Sequence, residues 1–194
     1  ALSARFQFEH IVSREVLYCR QSAAQRVERH RRVADALETA LGHRSHGSAS
    51  ELALHFTAGQ ACSKSIEYLR AAAAAASRRY AGAEAGALLT EATKLTRGLP
   101  RPARIITELE VLDELGAAHF VCGDFNHCAR AWHEVAARAM KHRRIDTAIH
   151  AMSRLAFPVG WDKPALLRSA AERTITHLPS VEDPITRAEL MIRV

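Results

Sequence analysis

Two stretches of this sequence repeat one spacing of small and large residues, and that spacing limits how the chain can pack. In the first, Leu69, Ala72, Ala73 and Ala76 are followed by Ala85, Leu89 and Ala92. In the second, Leu112, Leu115, Gly116 and His119 are followed by Gly123, Cys128 and Trp132, with matching positions at the same intervals. Steps of three and four place the first members of each set on one face of a helix. A small residue such as Ala73 or Gly116 then lets a second helix approach closely, while Leu89 or Trp132 fills the space beside it. Ala85 and Cys128 serve the reverse contact. Such a chain is restricted to packed helical hairpins. The composition agrees, because hydrophobic residues are 48% of 194 while aromatics are only 6%, so the core must close through small side chains.

Helical periodicity runs through most of the chain. Val27, Ala34 and Leu41, with Leu37 between, line one face over residues 22–41. Gly, Ser and His residues over 42–50 end that helix, and Ser48 or Ser50 can cap the next one before Leu52, Leu54 and Phe56, with Gly59 as its stop. Further helices are predicted over residues 63–80, 83–97, 103–121, 126–141, 146–157, 164–178 and 184–194. Gly98 and Pro100 form a paired terminator. The one strand pattern is Phe6 to Glu9, whose partner would have to precede Ala1. With no secretory leader at the start and a helical pattern running into Val194, both ends read as boundaries inside a longer polypeptide.

The repeated spacing is similar to that of tetratricopeptide units, although Leu69 and Leu112 stand further apart than the roughly 34-residue period, and the segment around Pro100 and Pro102 must absorb the difference. A wider resemblance is visible in Phe6-Gln7-Phe8-Glu9-His10-Ile11-Val12-Ser13-Arg14-Glu15-Val16-Leu17-Tyr18, then Arg29-His30-Arg31-Arg32-Val33-Ala34-Asp35-Ala36-Leu37-Glu38, then Glu51-Leu52-Ala53-Leu54-His55-Phe56. In that order these segments, with Ile66-Glu67-Tyr68-Leu69 and Tyr80-Ala81-Gly82-Ala83-Glu84-Ala85 after them, resemble the region following the ATPase module of bacterial STAND-type regulators. Maltose-regulator-like transcriptional activators and cyclase-fused ATPases belong to that group. The resemblance implies an all-α fold: an α-α superhelix of tetratricopeptide-like hairpins over residues 61–194, and the end of a winged-helix region with connecting helices over residues 1–60. It also implies that ATP is bound only by a domain upstream of Phe6, with no cofactor in this chain.

Catalytic and metal chemistry find no support. There is no phosphate-binding G-x-x-x-x-G-K-[ST] loop. His133-Glu134 opens like a zinc-protease helix, but Ala137 stands where the second histidine is needed. His119, Cys122, His127, Cys128 and His133 are close enough in sequence to suggest metal ligands. The repeat spacing instead makes Cys128 a buried packing residue facing His119, with His127 pointing away. His30 falls on the apolar stripe with Val27 and Ala34, as a half-buried packing residue. Four cysteines without framework spacing suit a reducing cytosol, and no apolar run is long enough to span a membrane.

What remains is an interaction module. With Leu69, Ala72, Ala73 and Ala76 committed to hairpin packing, Glu67, Arg70, Ala74, Ser77 and Arg78 occupy the adjoining face, and Glu110, Asp113, Ala117 and Phe120 are their counterparts. Stacked first helices would line a groove for a protein, a peptide or a small inducer, next to the upstream ATPase domain of the same polypeptide. The alternative is a nucleic-acid-binding domain using the winged-helix remnant and the Arg26, Arg29, Arg31 and Arg32 helix. Direct nucleic-acid contact is not expected despite the formal charge of +6, because no basic segment is interleaved with stacking aromatics.

Overall fold

The computed structural model describes residues 10–42 and 47–159, with isolated positions at 172, 175, 176, 179 and 187. Among them every regular element is helical: α1 (Ile11–Cys19), α2 (Ala23–Leu41), α3 (Ala49–Ala58), α4 (Cys62–Arg78), α5 (Gly82–Leu95), a 3₁₀ turn (Thr96–Gly98), α6 (Arg101–Val121), α7 (Phe125–Lys141) and α8 (Ile145–Val159). The expected strand at Phe6 to Glu9 lies outside the described residues. So do the expected helices over 164–178 and 184–194, apart from the isolated positions.

Local chemistry explains the starts of these helices. Ser22 forms a capping box with Gln25: the Ser22 hydroxyl accepts from the Gln25 N–H (3.2 Å), and Gln25 Oε1 accepts from the Ser22 N–H (2.9 Å). Asp124 caps α7 by accepting from the His127 N–H (3.2 Å). Ser48 occupies the N-cap of α3 but its side chain makes no capping bond, and Ser50 lies inside the helix. Pro102 sits in the first turn of α6, where its missing N–H costs no helical bond.

Four connections are built alike. Between α3 and α4, α4 and α5, α6 and α7, and α7 and α8, a short turn places Gln60, Tyr80, Gly123 and Arg143 in the left-handed region (φ 55°, 59°, 73° and 56°). The N–H of the next residue returns to the preceding helix: Ala61 to the Phe56 carbonyl, Ala81 to Ala76, Asp124 to His119 and Arg144 to Ala139, at 2.9–3.0 Å. The carbonyls of those same residues accept the N–H groups of Ser65, Ala85, Cys128 and Ala148 in the following helix. Those four small side chains are all completely buried, and one turn further Leu69, Leu89, Trp132 and Met152 are buried as well. Turn geometry and core register therefore recur together. The α5–α6 junction departs from the pattern: the 3₁₀ turn, pinned by buried Thr96 donating to the Thr93 carbonyl (2.7 Å), leads through Pro100 into α6.

From α2 onward each helix packs on its neighbour in sequence, and α4 also touches α6. Ion pairs join α2 to α4 and α6 to α8, so α2, α4, α6 and α8 succeed one another in one layer, with α3, α5 and α7 behind it. The larger core cluster runs from Ala34 and Phe56 through Tyr68 and Ala73 to Leu89 and Val111, with Phe56 and Tyr68 stacked at 5.6 Å. Leu109, Leu112, Val135, Ala139, Ile149 and Met152 form a second cluster between α6, α7 and α8. No helix among the described residues is long and apolar enough to cross a membrane.

Candidate interaction surface

The nine residues singled out from sequence lie on two adjacent helices of the front layer. On α4, Glu67, Ala74 and Arg78 are exposed, and Arg70 and Ser77 are half-buried. On α6, Glu110 is exposed, and Asp113, Ala117 and Phe120 are half-buried. Phe120 packs its ring against Phe125 and Trp132, with centroids 5.8 and 5.9 Å apart, and Ala117 packs on the same cluster of Cys128, Trp132 and Leu155. Trp132 fits because Gly116 has no side chain, since a Cβ there would stand 2.5 Å from the indole Nε1.

The charges of this face are engaged with one another. Arg70 reaches from α4 to α6, where Nη1 donates to Glu110 Oε2 (2.9 Å), Nη2 to Glu114 Oε1 (2.6 Å) and Nε to both Glu114 oxygens (3.0 and 3.1 Å). Hydrogen bonding to Glu114 holds the Arg70 pKa above the ordinary arginine value. Arg70 and Glu110 are thus brought together, while Glu114, the stronger partner, was not singled out from sequence. Asp113 accepts from Arg154 of α8 at 2.9 Å through each oxygen, and Arg154 lies 5.5 Å over the Trp132 ring. Glu67 pairs within α4 with Lys64 (3.5 Å). Lys64 also donates to Glu38 of α2 (2.7 Å), as does the Tyr68 hydroxyl (2.5 Å), and the Lys64 bond followed by the Tyr68 bond pulls the Glu38 pKa down. Every step between successive front-layer helices is stitched by such a contact.

The histidine and cysteine cluster is arranged differently from expectation in one respect. Cys128 is buried, and burial pushes its thiol up to about 12, which makes it a poor nucleophile. His127, however, does not stand apart: its ring stacks on His119 at 5.1 Å, and its Nδ1 lies 2.9 Å from Asp124 Oδ1. Asp124, the α7 cap, drew the ring back over the turn. The two imidazoles lie within 27° of parallel, so their in-plane lone pairs do not converge on one point between them. Burial depresses the His119 pKa.

A second histidine contact joins the first helices. His30 of α2 places Nε2 3.1 Å from the Tyr18 hydroxyl and Nδ1 3.0 Å from Nδ1 of His55 on α3. The facing nitrogens share one proton as donor and acceptor. Burial, then the neighbouring His30, lowers the His55 pKa. On the same helix Arg29, Arg31 and Arg32 are exposed, and the Arg26 guanidinium lies 5.3 Å over the Tyr18 ring.

No family model matches the chain, and no curated protein and no solved structure matches it either.

Proposed function

We propose that this chain is a non-catalytic interaction module: an array of tetratricopeptide-like hairpins whose α4–α6 face binds a protein segment or a small inducer. The reading extends to a cytoplasmic, ATP-dependent regulator of the STAND type, with the nucleotide held upstream. The observation that supports it most is the recurrent hairpin register, in which Ser65, Ala85, Cys128 and Ala148 sit fully buried after identical turns. That is the construction by which repeat arrays extend a continuous layer of neighbouring helices. On that layer Ala74 is exposed and Ala117 half-buried, with the Arg70 ion pairs and the Phe120 ring on the same pair of helices.

The test places bulk on this face in the intact polypeptide. Ala74→Glu is expected to reduce activation of the parent ATPase by its inducer or partner at least about tenfold, equivalent to ~1.4 kcal/mol of binding. Helix content and basal ATP turnover should stay as in the parent. An unchanged response, with the variant folded, would remove the α4–α6 face from the reading. Saturable ATP binding by this chain alone would remove the assignment of nucleotide chemistry to an upstream domain.

A further inference from the structure

We propose that the end of the array formed by the start of α6, the last turn of α7 and the α7–α8 connection is a docking surface for the phosphodiester backbone of a nucleic-acid duplex. Arg101 and Arg104 lie in the first turn of α6, while Lys141, His142, Arg143 and Arg144 follow one another at the end of α7 and in the turn after it. These two groups are far apart in sequence, and the packing of α6 on α7 brings them together. Their register is pinned twice. Arg138 of α7 pairs with Glu108 of α6, which sets the last turn of α7 alongside the second turn of α6. Ile105 and Ile145 pack on the same core cluster with Ala139, so their neighbours Arg104 and Arg144 emerge at one end.

Among the described residues these cations have no ion-pair partner, whereas Lys64, Arg70, Arg138 and Arg154 are all paired. Asp146, the carboxylate nearest in sequence, forms no salt bridge with them. Five full positive charges without an ion-pair partner, drawn from two parts of the sequence, thus meet at one end of a chain whose formal net charge is +6. Lys141, His142 and Arg143 suit the C-terminal end of α7, but Arg101, Arg104 and Arg144 stand at the starts of α6 and α8, where the helix dipole favours acidic side chains.

The chemistry of the patch selects the partner. Asp146 is the one exposed carboxylate beside these five cations, and Ile106 and Met140, 43% and 39% exposed, are the apolar margin of the patch, so the surface is led by positive charge, unlike the charge-poor core of a protein interface. His142 is the one aromatic ring among the cations, too few for the successive bases of a single strand to stack on. A regular line of phosphates asks only for positive charge and is bound without regard to sequence.

The test is binding of a short, mixed-sequence, fluorescently labelled DNA duplex to the whole chain. With three to five phosphates neutralised, the logarithm of the affinity should fall against the logarithm of salt with a slope of about −3 to −5, roughly a hundredfold between 50 and 200 mM. Arg101→Glu/Arg104→Glu/Arg144→Glu should weaken binding at least about tenfold, whereas Arg29→Glu/Arg32→Glu on α2 should stay within about threefold of the parent. Carboxylates at helix starts favour the helix, so the triple variant is expected to keep its circular dichroism and melting temperature. The glutamine versions, which only remove charge, should give the same ranking. A shallow salt slope, or an α2 variant that loses as much, overturns the proposal. So does equal affinity for poly-glutamate or for vesicles of anionic lipid.

Discussion

The tightest constraint in the molecule is the contact between Gly116 and Trp132. A side chain at Gly116 would place its Cβ 2.5 Å from the indole Nε1 and 2.7 Å from Cδ1. It would therefore displace the ring from its hydrogen bond to the Asp113 carbonyl (3.3 Å). Gly116→Ala is expected to cost about 1–3 kcal/mol, the usual range for overpacking a filled core, as measured by urea unfolding. A loss below about 0.5 kcal/mol would mean that the indole has room to move and that the close helix approach is not what the glycine supplies. This requirement was legible before the fold, because a small residue on one helix and a large one on the next recur at fixed intervals. The partners of Arg70 and Asp113 were not legible. Glu114 and Arg154 meet them across helices two apart in the chain, and no periodicity along one helix encodes which residue stands opposite.

At the scale of elements, the shared turn explains both what was foreseen and what was not. Among the described residues, expected helix boundaries fell within a residue or two of the observed ones, since Gly59, Gly98, Pro100 and Gly123 mark breaks that backbone sterics enforce. The left-handed residues at Tyr80, Gln60 and Arg143 carry no such mark, because the turn is imposed there by packing of the flanking helices and not by the residue itself. Tyr80 is the extreme case, 89% exposed at φ 59°, so its ring contributes little to compensate the backbone strain. Tyr80→Gly should stabilise the chain by about 0.5–1 kcal/mol, relief of left-handed strain less the added freedom of the unfolded glycine. Gly123→Ala, at φ 73°, should cost about 1 kcal/mol by the same physics in reverse. Thermal melts of both variants check the pair, and a destabilised Tyr80→Gly would show that the tyrosine is held by contacts that outweigh its backbone cost.

Across the whole molecule, the two layers are held by different forces. Small-to-large packing ties each helix to the one behind it, while Lys64–Glu38, Arg70–Glu110, Arg70–Glu114 and Arg154–Asp113 tie the front-layer helices to one another. Partly exposed pairs of this kind are each worth at most about 1 kcal/mol and weaken as salt shortens the screening length from about 10 Å at 0.1 M to about 3 Å at 1 M. Apolar contacts do not weaken in that way. Small-angle scattering of the chain across this range is therefore expected to show a progressive change in radius of gyration at constant helix content. An invariant scattering profile would show that the rear contacts alone set the spacing. If the front stitches loosen while the rear layer holds, the array bends as a strip bonded from two unlike materials does when only one of them swells. A ligand whose own charges compete for Arg70 or Asp113 would act at one hairpin as salt acts on all of them, and the neighbouring hairpins would register its arrival as curvature.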